Sequence, residues 1–137
     1  MNAPVRFSIV EKLSTYIDLQ LFKDYILREN DLIIAMTDMS PSLDFLAVPA
    51  LMKGLDMNFS YLLNQRVGKL ITNNQFNAGF LKYLLLSKVL RDQLKSLGLG
   101  TVQSNMSSED LGGAFFASPS IPEQKAIVDF LDKETSK

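Results

Sequence analysis

Cysteine and histidine are both absent from this chain of 137 residues, and most side-chain chemistry near neutral pH goes with them. No disulfide, thiol nucleophile or thiolate metal site is possible. Neither a Ser-His-Asp triad nor ordinary zinc ligation can be assembled. Carboxylates remain: Asp31 and Asp38 bracket an apolar run, and Glu109 and Asp110 are adjacent. General acid–base work needs two carboxylates at a set separation across a cleft, in environments that split their pKa values. The spacing here supplies no such pair. Asp31 suits the start of a strand, and Glu109 and Asp110 suit a first helical turn, where the macrodipole favours negative charge. An all-carboxylate hydrolase would require a deep acidic cleft holding two of these groups.

Gly98-Leu99-Gly100-Thr101 is not followed by the Gly-Lys-Ser/Thr of a Walker A loop, nor by the third glycine of a dinucleotide fingerprint. Its backbone N–H groups could still meet a phosphate. No Pro-Asp…Glu-x-Lys nuclease pattern and no Asn/Asp-Pro-Pro-Tyr methyltransferase pattern is present. The segment from Thr101 onward is instead a cluster of amides and hydroxyls: Thr101, Gln103, Ser104, Asn105 and Ser107. Asn and Gln match an adenine edge and Arg a guanine edge in the major groove, while turn formation accounts for the same residue types. The net charge of −1 conceals an uneven distribution. Residues 57–108 hold six basic side chains, Arg66, Lys69, Lys82, Lys88, Arg91 and Lys95, against Asp92 alone, and both flanks are acidic. Such a block suits an anionic partner or a solvated face.

The elements that must carry these groups can be read from periodicity. Ser8 with Glu11 forms a capping-box pattern ahead of Val10, Leu13 and Ile17, and Leu21, Phe22, Tyr25 and Ile26 continue at helical spacing. Residues 31–37 read as a buried strand, 39–44 as a Ser-Pro-Ser loop, 45–51 as a strand that Pro49 confines to an edge, and 66–72 as another strand. One long helix is expected over 76–97, closed by Gly98, with Lys88, Arg91 and Lys95 on one face. A loop and short strand come next, then a helical turn opened by Ser107 with Asp110 or by Ser108. Phe115 and Phe116 are expected on the core. Ser120, Pro122 and Glu123 mark the start of a last helix, with Asp129 and Lys133 as an i, i+4 pair. The longest apolar run, 45–52, falls short of the about 20 residues that cross a bilayer, and no apolar signal core follows the first residues. A cytoplasmic location is expected.

Taken in order, Gly100-Thr101-Val102-Gln103-Ser104-Asn105-Met106-Ser107, then Asp110-Leu111, then Pro119-Ser120-Ile121-Pro122-Glu123-Gln124 and the helix through Asp132, resemble the end of a target-recognition domain. The family is the specificity subunit of type I restriction–modification systems. There a Gly-Thr-Gln loop precedes a Pro-x-x-x-Glu-Gln helix start that opens a long spacer helix. Asp31-Leu32-Ile33-Ile34 resembles the family's Gly-Asp-Leu-Ile strand, with Asn30 where Gly is usual. Asn64-Gln65-Arg66-Val67-Gly68 resembles its Asn-Gln strand, and the segment from Phe80 to Leu84 its helix before the Gly-Thr loop. The likeness covers roughly residues 27–135.

The resemblance implies a division of labour. Such a subunit reads one part of a bipartite DNA site and docks two modification (methyltransferase) subunits, which use S-adenosylmethionine, while restriction motor subunits use ATP and Mg. No catalytic residue, metal or cofactor is expected in this chain. The expected architecture is α+β: a small mixed or antiparallel sheet, one long packed helix and a projecting, spacer-like C-terminal helix. Residues 1–119 would be a partial target-recognition domain and 120–137 the start of the spacer, a half-length or truncated form. The expected DNA-facing residues are Ser40, Ser42, Arg66, Lys69, Thr101, Gln103 and Asn105. Glu123, Gln124, Ile127, Phe130 and Leu131 are expected to face a partner: the modification subunit, the restriction subunit or a second copy of the chain. The alternative is a module that docks the modification subunit without reading DNA.

Overall fold

Leu32, Ile33 and Ile34 are all buried, as an apolar run without alternation requires of a strand covered on both faces. The computed structural model describes residues 19–98 and 104–136. A 3-10 segment, Leu19–Tyr25, leads into β1 (Ile26–Leu27), β2 (Leu32–Ala35), β3 (Thr37–Asp38), β4 (Pro49–Leu51), β5 (Tyr61–Leu62) and β6 (Val67–Leu70). Helices α1 (Ala78–Leu86) and α2 (Lys88–Gly98) come next, then β7 (Ser104–Asn105), α3 (Ser108–Gly112) and α4 (Ile121–Thr135). The fold is a small α+β one, and every strand pairing among the described residues is antiparallel.

β2 is the centre of a three-stranded sheet ordered β4-β2-β6, which leaves Pro49 on an edge strand where its missing N–H costs nothing. Gly68 lies opposite Ile34 on β6, and a Cβ there would come within 3.1 Å of Met36 Sδ and 3.3 Å of Ile34 Cγ2. The close packing of these strands explains the glycine. The expected strand over 31–37 continues past Ala35 but changes partners. Met36 N–H donates to Arg66 O, Met36 O accepts from Met106 N–H at 2.8 Å, and β3 then pairs with β7. Residues 45–48 are a turn rather than a strand, and only 49–51 extend.

The single helix expected over 76–97 is two. Ser87 breaks it with extended backbone (φ −65°, ψ 144°), donating its N–H to Leu84 O while its Oγ accepts from Leu90 N–H. A serine that closes one helix and caps the next replaces the i→i−4 ladder locally. The apolar rhythm continues across the break because Leu85, Leu90 and Leu94 enter one core with Ile34, Leu43, Leu46, Ala47 and Met106. α3 begins as expected: Ser107 Oγ accepts from Asp110 N–H and the Asp110 carboxylate accepts from Ser107 N–H. The Ser107 N–H, and after it the Ser107 hydroxyl, hold the Asp110 carboxyl below its ordinary pKa.

Three local expectations are corrected. Phe115 is 84% exposed rather than packed on the core. Gln93 instead clasps its backbone, donating to Phe115 O and accepting from Phe115 N–H, while Phe116 meets Phe76 edge-on. Ser120 stands at the N-cap of α4, but its side chain makes no cap bond. Asp129 and Lys133 form no ion pair. The helix expected at Ser8, with Thr101 and Gln103, lies outside the described residues.

α4 lies against α1 rather than standing away from the body. A Cβ at Gly79 would be 3.0 Å from Val128 Cγ1, so the helices touch where a side chain is missing, and Tyr83 Oη donates to the Asp132 carboxylate. Among the described residues no helix is long and apolar enough to cross a membrane.

Candidate nucleic-acid interface

At the end of the sheet where β2 gives way to β3, backbone geometry gathers the segments of four residues that sequence reasoning singled out: Ser40, Ser42, Arg66 and Asn105. Thr37 Oγ1 donates to Asn105 Oδ1 at 2.9 Å across the β3–β7 pair. Arg66 sits alongside, its backbone bonded to Met36, and its guanidinium has no partner among the described residues. The loop carrying Ser40 and Ser42 leaves β3 at the same place; Ser42 is exposed, but the Ser40 hydroxyl is buried and does not face outward as expected.

That loop is held from both sides. Asp38, only 6% exposed, accepts from the N–H groups of Ser40 (2.7 Å), Phe45 (2.8 Å) and Leu46 (3.1 Å). The Arg91 guanidinium donates to the carbonyls of Leu43, Asp44 and Leu46. Lys95 donates to Ser42 O and pairs with the Asp44 carboxylate at 2.7 Å. Leu43 (φ 51°) and Ala47 (φ 58°) adopt left-handed backbone, which costs non-glycine residues energy that these surroundings must outweigh. Both are buried in the core.

Burial alone would raise the Asp38 pKa, but the N–H donors of Ser40, Phe45 and Leu46 hold it below the ordinary carboxylate range. A carboxyl whose folded pKa is depressed stabilises the fold above its unfolded pKa, and that contribution fades as pH falls through the folded value. Stability should therefore drop below about pH 4, the ordinary range of an aspartate. Urea titrations should show a smaller drop for Asp38→Asn, since that side chain cannot ionise; equal drops in both proteins would refute the assignment.

The basic block is mostly committed to internal partners. Lys69 pairs with Asp31 at 2.6 Å, Lys88 with Asp92 at 2.7 Å, and Lys82 lies over the Tyr83 ring. Arg91 and Lys95 hold the loop. Burial is the first influence on Arg91 and lowers its pKa, with Asp44 and Asp38 opposing it; Lys95 keeps the Asp44 carboxyl below its ordinary value. Lys69 is also misplaced for a shared face with Arg66. It lies opposite Ile33, three residues or roughly 10 Å further along β6. It lines a cavity of about 310 Å³ with Asn30, Asp31 and Ala78. A second cavity, about 130 Å³, is lined by Leu70, Leu81 and other apolar residues. Neither holds the carboxylate pair that the hydrolase reading requires, and among the described residues no cluster could hold a metal ion.

Against this geometry, the family profile of the type I restriction modification DNA specificity domain matches residues 7–136. The chain belongs to that family. Its role is DNA sequence recognition as a type I specificity component, a non-catalytic one in this family. No curated protein matches the chain.

Within this specificity domain, the motif residue Gln124 is corrected from partner-facing to internal. It is 0% exposed; its Oε1 accepts from Asn77 N–H at 2.8 Å, and its Nε2 donates to Gln75 O and Pro119 O, each at 2.9 Å. Glu123 and Phe130 are exposed, and Ile127 and Leu131 are half-buried. Sequence reasoning missed Thr37 and Gln93, and it named Asp38 only as a carboxylate and Arg91 only as part of the basic block, not as braces of the loop. The signal for Asp38 was present in its place before a Ser-Pro-Ser loop, where aspartate accepts backbone N–H bonds. Arg91 carried no comparable local signal.

Proposed function

We propose that this specificity domain reads DNA with the sheet end built by Thr37, Asn105, Arg66 and the loop bearing Ser42, together with Thr101 and Gln103, which precede β7 in the sequence. The observation that supports this reading is the convergence of the Thr37–Asn105 pair, a guanidinium without a partner among the described residues and a braced loop at one end of β2. Asn105 and Gln103 supply amides suited to adenine edges, and Arg66 supplies a phosphate or guanine contact. Lys69 is left out, because its charge is already balanced by Asp31. The outer face of α4, with Glu123 and Phe130 exposed and Ile127 and Leu131 at its margins, would dock the modification subunits, a restriction subunit or a second copy. S-adenosylmethionine, ATP and Mg would belong to those partner subunits.

Fluorescence anisotropy against salt tests the DNA half. Arg66→Ala should reduce the slope of log affinity against log salt by about 1, while Lys69→Ala leaves it close to wild type. Asn105→Ala should cost about 1–3 kcal/mol on the preferred duplex and much less on random DNA. A domain that binds the modification subunit but adds nothing to DNA affinity would favour docking without reading.

A further inference from the structure

We propose that Met39 and Phe45 are apolar base readers that press on thymine 5-methyl groups in the major groove, an inference that rests on the DNA-reading function above. Both are large and exposed, Met39 at 71% and Phe45 at 57%. The loop that carries them is not short of core: Leu43 and Leu46, from the same segment, are 6% and 1% exposed. The fold therefore sends two apolar side chains inward and holds two outward on one loop.

Their backbones flank one carboxylate. Ser40 N–H, next to Met39, and Phe45 N–H donate to the two oxygens of Asp38. With Arg91 and Lys95 gripping the carbonyls of the same loop, little backbone freedom is left to lose on binding, which favours a fixed reading surface. Of the two acids nearby, Asp38 is buried and its charge is taken up by three backbone N–H groups, and Asp44 is paired with Lys95. The Thr37–Asn105 pair adjoins Asp38 in the chain and ladder, so polar and apolar readers share one edge. In the major groove the apolar feature distinguishing one base pair from another is the thymine methyl group, and it takes hydrophobic contacts.

The test uses the full chain and duplexes it enriches from a random pool, resynthesised with uracil replacing each thymine in turn. Removing one contacted methyl should weaken binding about fourfold, the worth of one buried methyl-sized group. Phe45→Ala or Met39→Ala should abolish that difference, binding thymine and uracil duplexes alike, while retaining the wild-type urea midpoint. The proposal is overturned if uracil is tolerated at every position, if the enriched site has no thymine, or if both alanine variants still discriminate. It is also overturned if those variants lose only the modification subunit, which would make the pair a protein contact. Failure to enrich or bind any duplex removes the parent reading as well, whereas intact DNA binding without methyl sensitivity removes this inference alone.

Discussion

Replacing Gln124 with Leu should lower the unfolding free energy by about 2–3 kcal/mol, because it leaves three part-buried backbone groups without their partner. Gln124 is completely buried and its amide is bonded at both ends: Oε1 accepts from Asn77 N–H, and Nε2 donates to Gln75 O and Pro119 O. Leucine fills a similar volume, so lost packing contributes little and the polar groups dominate. The three partners come from the turn before α1 and the segment before α4. One side chain thus ties the first turn of α4 to the start of α1, whose N-cap is Asn77. Hydrogen exchange should show α4 opening well before the sheet, and urea denaturation should show the midpoint falling. Phe130→Ala, on the exposed face of the same helix, should stay within about 0.5 kcal/mol of wild type. If the two variants were equally stable, the amide would not be the anchor.

The same residue shows what the sequence could and could not convey. Gln124 stood out as part of the Pro-x-x-x-Glu-Gln pattern, but whether it faced a partner or its own chain depended on where residues 75 and 77 came to lie. Patterns closed within a few residues were legible: Ser107 with Asp110 for α3, Pro122 for the start of α4, and the apolar run of β2. The break at Ser87 was hidden because both helices feed the same core and keep the apolar rhythm intact. The left-handed backbone at Leu43 and Ala47 carried no glycine to announce it, so residues 45–48 read as strand. The basic block misled for an electrostatic reason. Asp31 and Asp44 lie outside the window that looked uniformly cationic, yet the fold brings Lys69 to one and Lys95 to the other. A charge count along the chain therefore overstated the cationic surface available to DNA. Of the site itself, the neighbourhood of Ser40, Arg66 and Asn105 was legible, and the braces beneath it were not.

Those braces lead to the second large effect. Arg91→Met should destabilise the chain by about 3 kcal/mol and erase discrimination between preferred and random duplexes without changing the salt slope. Arg91 reaches the carbonyls of Leu43, Asp44 and Leu46 across more than 40 residues of chain. Hydrogen bonds from a charged donor contribute about 1.5–3 kcal/mol each, and three sharing one guanidinium give less than their sum. Methionine retains the stem and the burial but supplies no donor, so those carbonyls must turn to water and the loop must loosen. Lysine, a single point donor without the planar fork, should recover only part of the loss. The salt dependence separates this from direct phosphate binding. A basic residue that neutralises a phosphate changes the slope by about 1 when removed, whereas one that holds a loop changes specificity and leaves the slope alone. Arg66→Ala should do the first and Arg91→Met the second. Were Arg91→Met to flatten the slope while the preferred duplex remained preferred, the guanidinium would be a phosphate contact and the bracing role would be wrong.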